Sequence, residues 1–147
     1  RANLPKLMEA LGPNDQVYTC GPDAYMSAVL DAASHHPEGQ VHREYFAPPE
    51  TPEYENHPFT LVLADGREIE VSADQSAAEA LNEVGFSIDI KCSDGICGAC
   101  KCGYIEGEIE HRDFVLSKAQ QANEFITCQS RAATPEVKIY LKQTKAC

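Results

Sequence analysis

Basic side chains are scarce in this sequence. It holds 12 Lys and Arg against 23 Asp and Glu, so its formal net charge is −11. Because binding to a phosphate backbone needs a basic patch, this balance argues against nucleic acid as a partner. The acidity is typical of a solubilising surface, and it would also suit a negative face that steers docking to a basic protein.

Long apolar runs are missing as well. No stretch approaches the roughly 20 apolar residues that a membrane-spanning helix needs, and no secretory signal opens the sequence. These absences predict a soluble, cytoplasmic protein with no membrane partner. The length of 147 residues, with 43% hydrophobic residues, suits one ordinary domain or two small ones.

Common catalytic patterns are also absent. The sequence shows no Ser-His-Asp set, no phosphate-binding glycine loop and no paired-carboxylate arrangement. His111 has no partner that the sequence reveals, which favours a structural polar contact over catalysis. No catalytic residue is therefore predicted in this chain.

Cysteine, in contrast, is abundant. The chain has 7 cysteines, and this odd number argues against a fully paired disulfide framework. Most of them lie between Cys92 and Cys128. Without a secretory signal the cysteines are expected to be reduced, and their clustering then indicates a metal site.

The clustered cysteines have the spacing C-x4-C-x2-C, followed by a distant fourth cysteine. This is the plant-type [2Fe–2S] pattern, in which each iron takes two thiolates besides the bridging sulfides. The predicted metal ligands are Cys92, Cys97, Cys100 and Cys128.

The loop between the first ligands supplies the backbone that a cluster needs. Gly95 and Gly98 permit tight turns and let amide groups approach the sulfides. Ser93 and Asp94 complete the predicted cluster-binding loop. Hydrogen bonds from these amides would favour the reduced state.

A zinc site is the main alternative at these cysteines. Structural zinc normally pairs C-x2-C with a second such pair or with histidines, and no second pair is present. A zinc-stabilised interaction module nevertheless stays open as a hypothesis. A Rieske centre would need histidine ligands, and no Cys-x-His occurs. Cys102 is predicted to be a small strand residue, because the ligand set is complete without it, and Cys147 to be a free thiol.

Residues 1–46 alternate between helix and strand. Helices are predicted on either side of a strand at 16–20, and a second strand is predicted at 41–46. The second helix would place Tyr25, Met26, Val29, Leu30 and Ala33 on one side. This piece is too short to close a doubly wound sheet, so we expect the chain to begin inside an α/β domain. The proline-rich segment 47–58 is predicted to be an extended linker.

Residues 59–147 have a different pattern. Asp65-Gly66 lies between two β-prone runs and predicts a hairpin, whose core face would carry Leu61, Leu63, Ile69 and Val71. Ser76 and Glu79 form a capping-box pattern at the start of a helix, and Gly85 would end it. The apolar stripe of this helix would consist of Ala77, Ala80, Leu81 and Val84. A second hairpin is predicted at 104–109 around Gly107, a short helix at 117–121 and a closing strand at 137–141.

Four segments resemble a known family. The stretches 92–100, 111–116 and 128–132 are similar to the C-terminal ferredoxin domain of the phthalate dioxygenase reductase and vanillate demethylase reductase family. Val17–Pro22 resembles the last part of the NAD-binding domain of that family. The segments occur in the family's order, which favours a reductase fragment.

The resemblance implies a fold class of α+β, with a β-grasp ferredoxin domain at 59–147 preceded by the end of an α/β NAD-binding domain at 1–46. It implies that Cys92 and Cys97 hold one iron and that Cys100 and Cys128 hold the other. Cys20, Gly21 and Pro22 would then lie beside the nicotinamide, although Cys20 also suits a core position at a strand end.

The resemblance also implies a route for electrons. A hydride would move from NADH to FMN, and single electrons would then pass through the cluster to a Rieske oxygenase that acts on an aromatic acid. The FMN motifs and the glycine-rich nucleotide turn are not in this sequence, so FMN and NAD(H) are expected only with the missing domains of a full-length polypeptide. The alternative is a free-standing ferredoxin, which leaves residues 1–46 unexplained.

Overall fold

The computed structural model describes residues 3–141 of the chain. Two compact units are present, Arg1–Glu50 and Thr51–Cys147, and their boundary falls within the predicted linker. No helix in the described part is long and apolar enough to cross a membrane. The predicted free thiol Cys147 lies outside the described residues.

The first unit contains two helices and a parallel pair of strands. Its elements are α1 (Leu4–Glu9), β1 (Val17–Cys20), α2 (Asp23–Ala32), a 3-10 turn (Glu38–Gln40) and β2 (Val41–Glu44). Strand β1 pairs in parallel with β2. Met8, Val17, Val29 and Ala33 form its small core. The β-α-β arrangement predicted for this segment is thus present.

One predicted core position in α2 is wrong. Tyr25 was expected on the apolar side with Met26, but Tyr25 is 50% exposed, whereas Met26 is buried. Neighbouring helix positions are about 100° apart around the axis, so the narrow stripe of Met26, Val29 and Ala33 leaves the adjacent Tyr25 outside.

The second unit is built on a mixed sheet. Its elements are β3 (Phe59–Val62), β4 (Glu68–Val71), α3 (Ala77–Glu83), β5 (Lys101–Glu106), β6 (Ile109–Glu110), α4 (Lys118–Gln121), β7 (Glu124–Ile126), β8 (Arg131–Ala132) and β9 (Glu136–Tyr140). Five strands form one sheet in the order β4-β3-β9-β5-β7. Strand β9 pairs in parallel with β3 and antiparallel with β5. This α+β arrangement confirms the predicted fold class.

The first hairpin and its core are as predicted. Strands β3 and β4 pair antiparallel, and Gly66 at the turn has a φ of +85°. Leu61, Leu63, Ile69 and Val71 are all buried in the main core, where they pack with Phe125, Val137 and Ile139. Alternating side chains therefore define the core face of the sheet.

The predicted second hairpin at 104–109 is wrong. Among the described residues, β6 pairs with β8 in a separate two-stranded sheet, whereas β5 pairs with β7 and β9. Gly107 turns the chain away from β5 with a φ of +101°. Both edges of β5 are already occupied, so the strand that follows Gly107 must find another partner.

Helix α3 begins with the predicted capping box. The Ser76 hydroxyl accepts a hydrogen bond from the Glu79 amide at 3.2 Å, and the Glu79 carboxylate accepts from the Ser76 amide at 2.8 Å. Gly85 follows the helix with a φ of +96°. Val84 was expected in the apolar stripe but is 50% exposed, because it lies at the helix C-cap, where the chain turns.

Removing this cap will destabilise the second unit modestly. We expect Ser76→Ala to lower the free energy of unfolding by about 1 kcal/mol, because one helical amide loses its acceptor. Urea denaturation followed by far-UV circular dichroism measures the change. Ser87→Ala is the control, since Ser87 is exposed and lies outside the helix. An equal effect of the two substitutions would contradict the role of the cap.

Candidate iron–sulfur site

Strands β5 and β7 bring two of the four cysteines together. Cys100 immediately precedes β5, and Cys128 follows β7 by two residues. The strands pair antiparallel with Lys101 opposite Ile126. Thr127 continues this ladder, because its hydroxyl donates to the Cys100 carbonyl oxygen at 2.7 Å and its amide donates to the same atom at 3.3 Å. The Cys100 and Cys128 thiols consequently lie close enough to each other for each to shift the pKa of the other.

The other two cysteines form a second pair within the loop. The Cys97 thiol lies close enough to the Cys92 sulfur to lower the pKa of Cys92. The amide of Asp94 also donates to the Cys92 sulfur, at 3.4 Å. The loop therefore turns so that its own backbone donors point at a ligand sulfur, as cluster-binding loops do.

Backbone donors change the acidity of these thiols. Burial tends to raise the pKa of Cys92, but amide hydrogen bonds led by Asp94, with the Cys97 thiol, lower it to about 7. Donation from the Cys128 thiol lowers the pKa of Cys100 to about 6. The same interaction, together with burial, raises the pKa of Cys128, which acts as the donor of that pair. Because metals bind thiolates, lowered pKa values favour ligation.

Two glycines make the loop geometry possible. Gly95 has a φ of +71° and Gly98 has a φ of +73°. A Cβ atom on Gly95 would lie 3.2 Å from Asp113 Cα, and the Gly95 carbonyl oxygen accepts from the Phe114 amide at 3.1 Å. Gly95 is therefore packed directly against the 112–114 backbone.

Ser93 also has an unusual conformation, with a φ of +59°. Its carbonyl oxygen accepts a hydrogen bond from the Gln129 side chain. This contact joins the loop to the residue that follows Cys128. The loop is thus held by a side-chain hydrogen bond to the residue next to Cys128, the fourth predicted ligand.

The predicted structural role of His111 agrees with its surroundings. Its Nε2 atom lies 3.1 Å from the Gln121 carbonyl oxygen, and its Nδ1 atom lies 3.5 Å from Asp113 Oδ2. Asp113 Oδ1 accepts from the Val115 and Leu116 amides at 3.1 and 2.8 Å. These residues support the chain behind Gly95.

Cys102 is buried in the core of the sheet. It is 4% exposed and belongs to the main core of the sheet. Its thiol lies 3.7 Å from the Tyr140 carbonyl oxygen, and burial raises its pKa to about 12. A thiol that is so hard to ionise is a poor metal ligand.

The four cysteines fit a two-iron group. The thiols lie in the pairs Cys92–Cys97 and Cys100–Cys128. Two thiolates per iron is the ligation of a [2Fe–2S] cluster.

The predicted nicotinamide-side residues lie at the end of β1. Cys20 is exposed, Gly21 has a φ of +134°, and Pro22 is the N-cap of α2. Cys20 also lines a recess of about 310 Å³, together with Tyr18, Thr19, His42, Arg43 and Glu44. The exposure of Cys20 does not agree with a core position.

Sequence comparisons assign the chain. Residues 62–133 match the family model described as a 2Fe-2S iron-sulfur cluster binding domain. Vanillate O-demethylase oxidoreductase of Acinetobacter baylyi is 36% identical over 137 residues, which cover 90% of this chain and 43% of that protein. Phthalate dioxygenase reductase of Burkholderia cepacia is 37% identical over 132 residues, 89% of this chain and 41% of that protein. The chain is thus similar to these reductases over about nine-tenths of its length.

Solved structures agree with the family. Phthalate dioxygenase reductase superposes with a TM-score of 0.65 and 35% identity, over 96% of this chain and 44% of that one. A type IV self-sufficient cytochrome P450 monooxygenase gives a TM-score of 0.66 and 36% identity, over 96% of this chain and 19% of that one. The family resemblance predicted from the sequence is therefore confirmed.

The extent of these matches separates the reductase from a free-standing ferredoxin. An alignment over 90% of the chain includes residues of the first unit as well as the iron–sulfur domain. A free-standing ferredoxin would account only for the second unit. The chain nevertheless spans less than half of the length of the curated relatives described above.

The sequence did not single out Thr127 or Arg112 at this site. Thr127 is fully buried and joins β7 to Cys100. Arg112 is 8% exposed, and its carbonyl oxygen would lie 3.4 Å from a Cβ atom on Gly95. The only signal for either residue was its position, next to Cys128 and inside the 111–116 stretch.

Proposed function

We propose that this chain passes single electrons through a [2Fe–2S] cluster held by Cys92, Cys97, Cys100 and Cys128. The observation that carries the proposal is the arrangement of these thiols in two pairs around a glycine loop, within the matched iron–sulfur domain. The bound cluster would accept and release one electron at a time.

The residues of the site have separate tasks in this proposal. The amides of Asp94 and Gly95 face the sulfurs of Cys92 and Cys128, where they stabilise negative charge on the ligands. Cys100 is 2% exposed and excludes water on the inner side of the site. Cys97 is exposed, so the electron would leave toward a partner protein on its side.

In the full-length protein the chain would be the electron exit of an NADH- and FMN-dependent reductase. Phthalate dioxygenase reductase is a modular protein for electron transfer from pyridine nucleotides to [2Fe–2S]. By this analogy, residues 1–46 complete the NAD(H)-binding domain, and Cys20, Gly21 and Pro22 lie on the nicotinamide side. FMN would bind to a part of the polypeptide that this chain does not contain.

The electron acceptor would be a cytoplasmic Rieske-type oxygenase that acts on an aromatic acid. The names of the relatives support this class, because they include reductases of phthalate dioxygenase and vanillate O-demethylase systems. A cytochrome P450 is a second candidate acceptor, since this chain is similar to part of a self-sufficient cytochrome P450 monooxygenase. The acidic net charge suits a basic docking face on either partner.

Spectroscopy of the purified chain tests the cluster. We expect a red-brown protein with about two irons and two sulfides per chain, and a rhombic EPR signal that is present only after reduction with dithionite. Anaerobic purification from cells that assemble clusters is required. A colourless, EPR-silent and zinc-loaded protein would overturn the proposal in favour of a zinc module.

The partner is tested with the full-length protein. NADH and the reductase should support turnover by a Rieske-type aromatic oxygenase and should reduce a cytochrome P450 much more slowly. Faster reduction of the P450 would replace the first candidate with the second. A full-length protein that contains no flavin would contradict the reductase assignment itself.

A further inference from the structure

The second half of the predicted linker makes specific contacts. We call Tyr54–His57 the docked segment. The Arg112 guanidinium donates to Asn56 Oδ1 at 2.7 Å and to the Glu55 carbonyl oxygen at 3.5 Å, and it lies 4.2 Å from the centre of the Tyr54 ring. Arg131 donates to the His57 carbonyl oxygen at 2.9 Å. These contacts extend across the whole docked segment.

Arg112 depends on these contacts energetically. The residue is 8% exposed, and burying a guanidinium is costly unless its donors are satisfied. Glu110 accepts from one side of the fork, with a distance of 2.8 Å to Nε. Nη1 donates to Asn56, and Nη2 donates to the Glu55 carbonyl oxygen as well as to Glu110, so the docked segment completes the shell around a buried charge.

The same residue is tied to the cluster-binding loop through its backbone. The Arg112 amide donates to the Ser130 hydroxyl at 3.2 Å, two residues beyond Cys128. Its carbonyl oxygen would lie 3.4 Å from a Cβ atom on Gly95. Arg112 therefore binds the linker with its side chain and supports the cluster loop with its main chain.

The upstream part of the linker differs from the docked segment. Among the described residues, 47–53 have no hydrogen bond or ring contact. A segment without such contacts behaves as a flexible tether, whereas a segment held by charge-assisted bonds does not.

The geometry points to Arg112 as a positioning residue that docks Tyr54–His57 on the cluster-binding unit, so that only the chain upstream of Tyr54 acts as a free tether. This inference rests on the proposed function, because the length of the tether matters when an upstream reductase unit delivers electrons. A shorter tether raises the effective concentration of the electron donor near the cluster.

Limited proteolysis of the cluster-loaded chain tests the docking. A Glu-specific protease will cut after Glu55 in the docked segment and after Glu50 and Glu53 upstream, and cleavage after Glu50 serves as an internal reference. We expect Asn56→Ala and Arg112→Met to speed cleavage after Glu55 by about tenfold, because each removes a hydrogen bond to a charged group. Arg112→Lys should restore part of the protection.

The controls keep this test decisive. Ala47→Ser lies in the tether, three residues upstream of the Glu50 cleavage site, and should leave both cleavage rates unchanged. Asn56 is exposed, so Asn56→Ala does not disturb the core. This variant keeps the test available if Arg112→Met fails to fold. The inference is overturned if cleavage after Glu55 in the unaltered chain is as fast as after Glu50, or if Asn56→Ala does not change it relative to the cleavage of a short unfolded peptide that carries the same substitution.

The positioning role is tested by stopped-flow reduction of the full-length protein with NADH. Asn56→Ala should slow the transfer from flavin to cluster by about 1.5- to 2-fold, because the free tether becomes longer. The midpoint potential and the EPR signal of the cluster should not change. An unchanged transfer rate would overturn the positioning role. A missing cluster would instead overturn the proposed function, while the Glu55 to Glu50 cleavage ratio would still report docking.

Discussion

Cys128→Ser will abolish the red-brown colour of the chain, whereas Cys102→Ser will leave it unchanged. Cys128 and Cys100 form one thiol pair of the site. Removing either thiol would leave one iron of the proposed cluster with a single cysteine ligand. Cys102 is buried in the core, facing the Tyr140 carbonyl oxygen, so its thiol contributes packing only.

Visible absorption, iron content and sulfide content measure this difference in parallel preparations. We expect at least about tenfold less cluster for Cys128→Ser and a full complement for Cys102→Ser. Far-UV circular dichroism checks that both variants are folded. A variant of Cys102 that loses the cluster while Cys128→Ser retains it would show that the ligand set has been assigned incorrectly.

Gly107→Ala will destabilise the second unit far more than Gly66→Ala. Both glycines have a positive φ, of +101° and +85°, so both substitutions strain the backbone, by about 1–2 kcal/mol. Only at Gly107 would the new methyl group meet backbone, because its Cβ would lie 2.7 Å from the Glu136 carbonyl oxygen. Nothing lies within 4 Å of the corresponding position at Gly66.

Overpacking against a backbone atom adds about 1–3 kcal/mol, so Gly107→Ala should cost about 2–5 kcal/mol in total. For a unit of this size, each kcal/mol corresponds to about 4–8 °C in melting temperature. Thermal unfolding followed by circular dichroism measures both variants. Equal melting temperatures would mean that β9 moves aside without cost, contrary to its central place in the sheet.

Local patterns predicted much of the fold. The Asp65-Gly66 turn, the capping box at Ser76 and the glycine after α3 depend on neighbouring residues, and all three occur as predicted. The cysteine spacing is likewise a local property for three of the proposed ligands. Such features are visible in sequence because the physical interactions that create them span only a few residues.

Long-range pairing accounts for what the sequence did not reveal. Strands β7 and β8 are only two or three residues long, too short for a periodic pattern. The prediction of a second hairpin around Gly107 was wrong because β9, which lies far along the chain, pairs with an edge of β5. Arg112 could not be recognised as a linker contact, since its partner Asn56 lies 56 positions away.

The central place of β9 has a consequence for biosynthesis. Strand β9 joins β3 to β5, yet it is the last of the described strands to be synthesised. Until Tyr140 has emerged from the ribosome, β3 with β4 and β5 with β7 are separate pairs with an open groove between them. All four proposed ligand cysteines precede β9, so they become available to iron and sulfide donors before the sheet can close. The order of the elements therefore lets the loop and Cys128 meet a cluster donor before the sheet is complete.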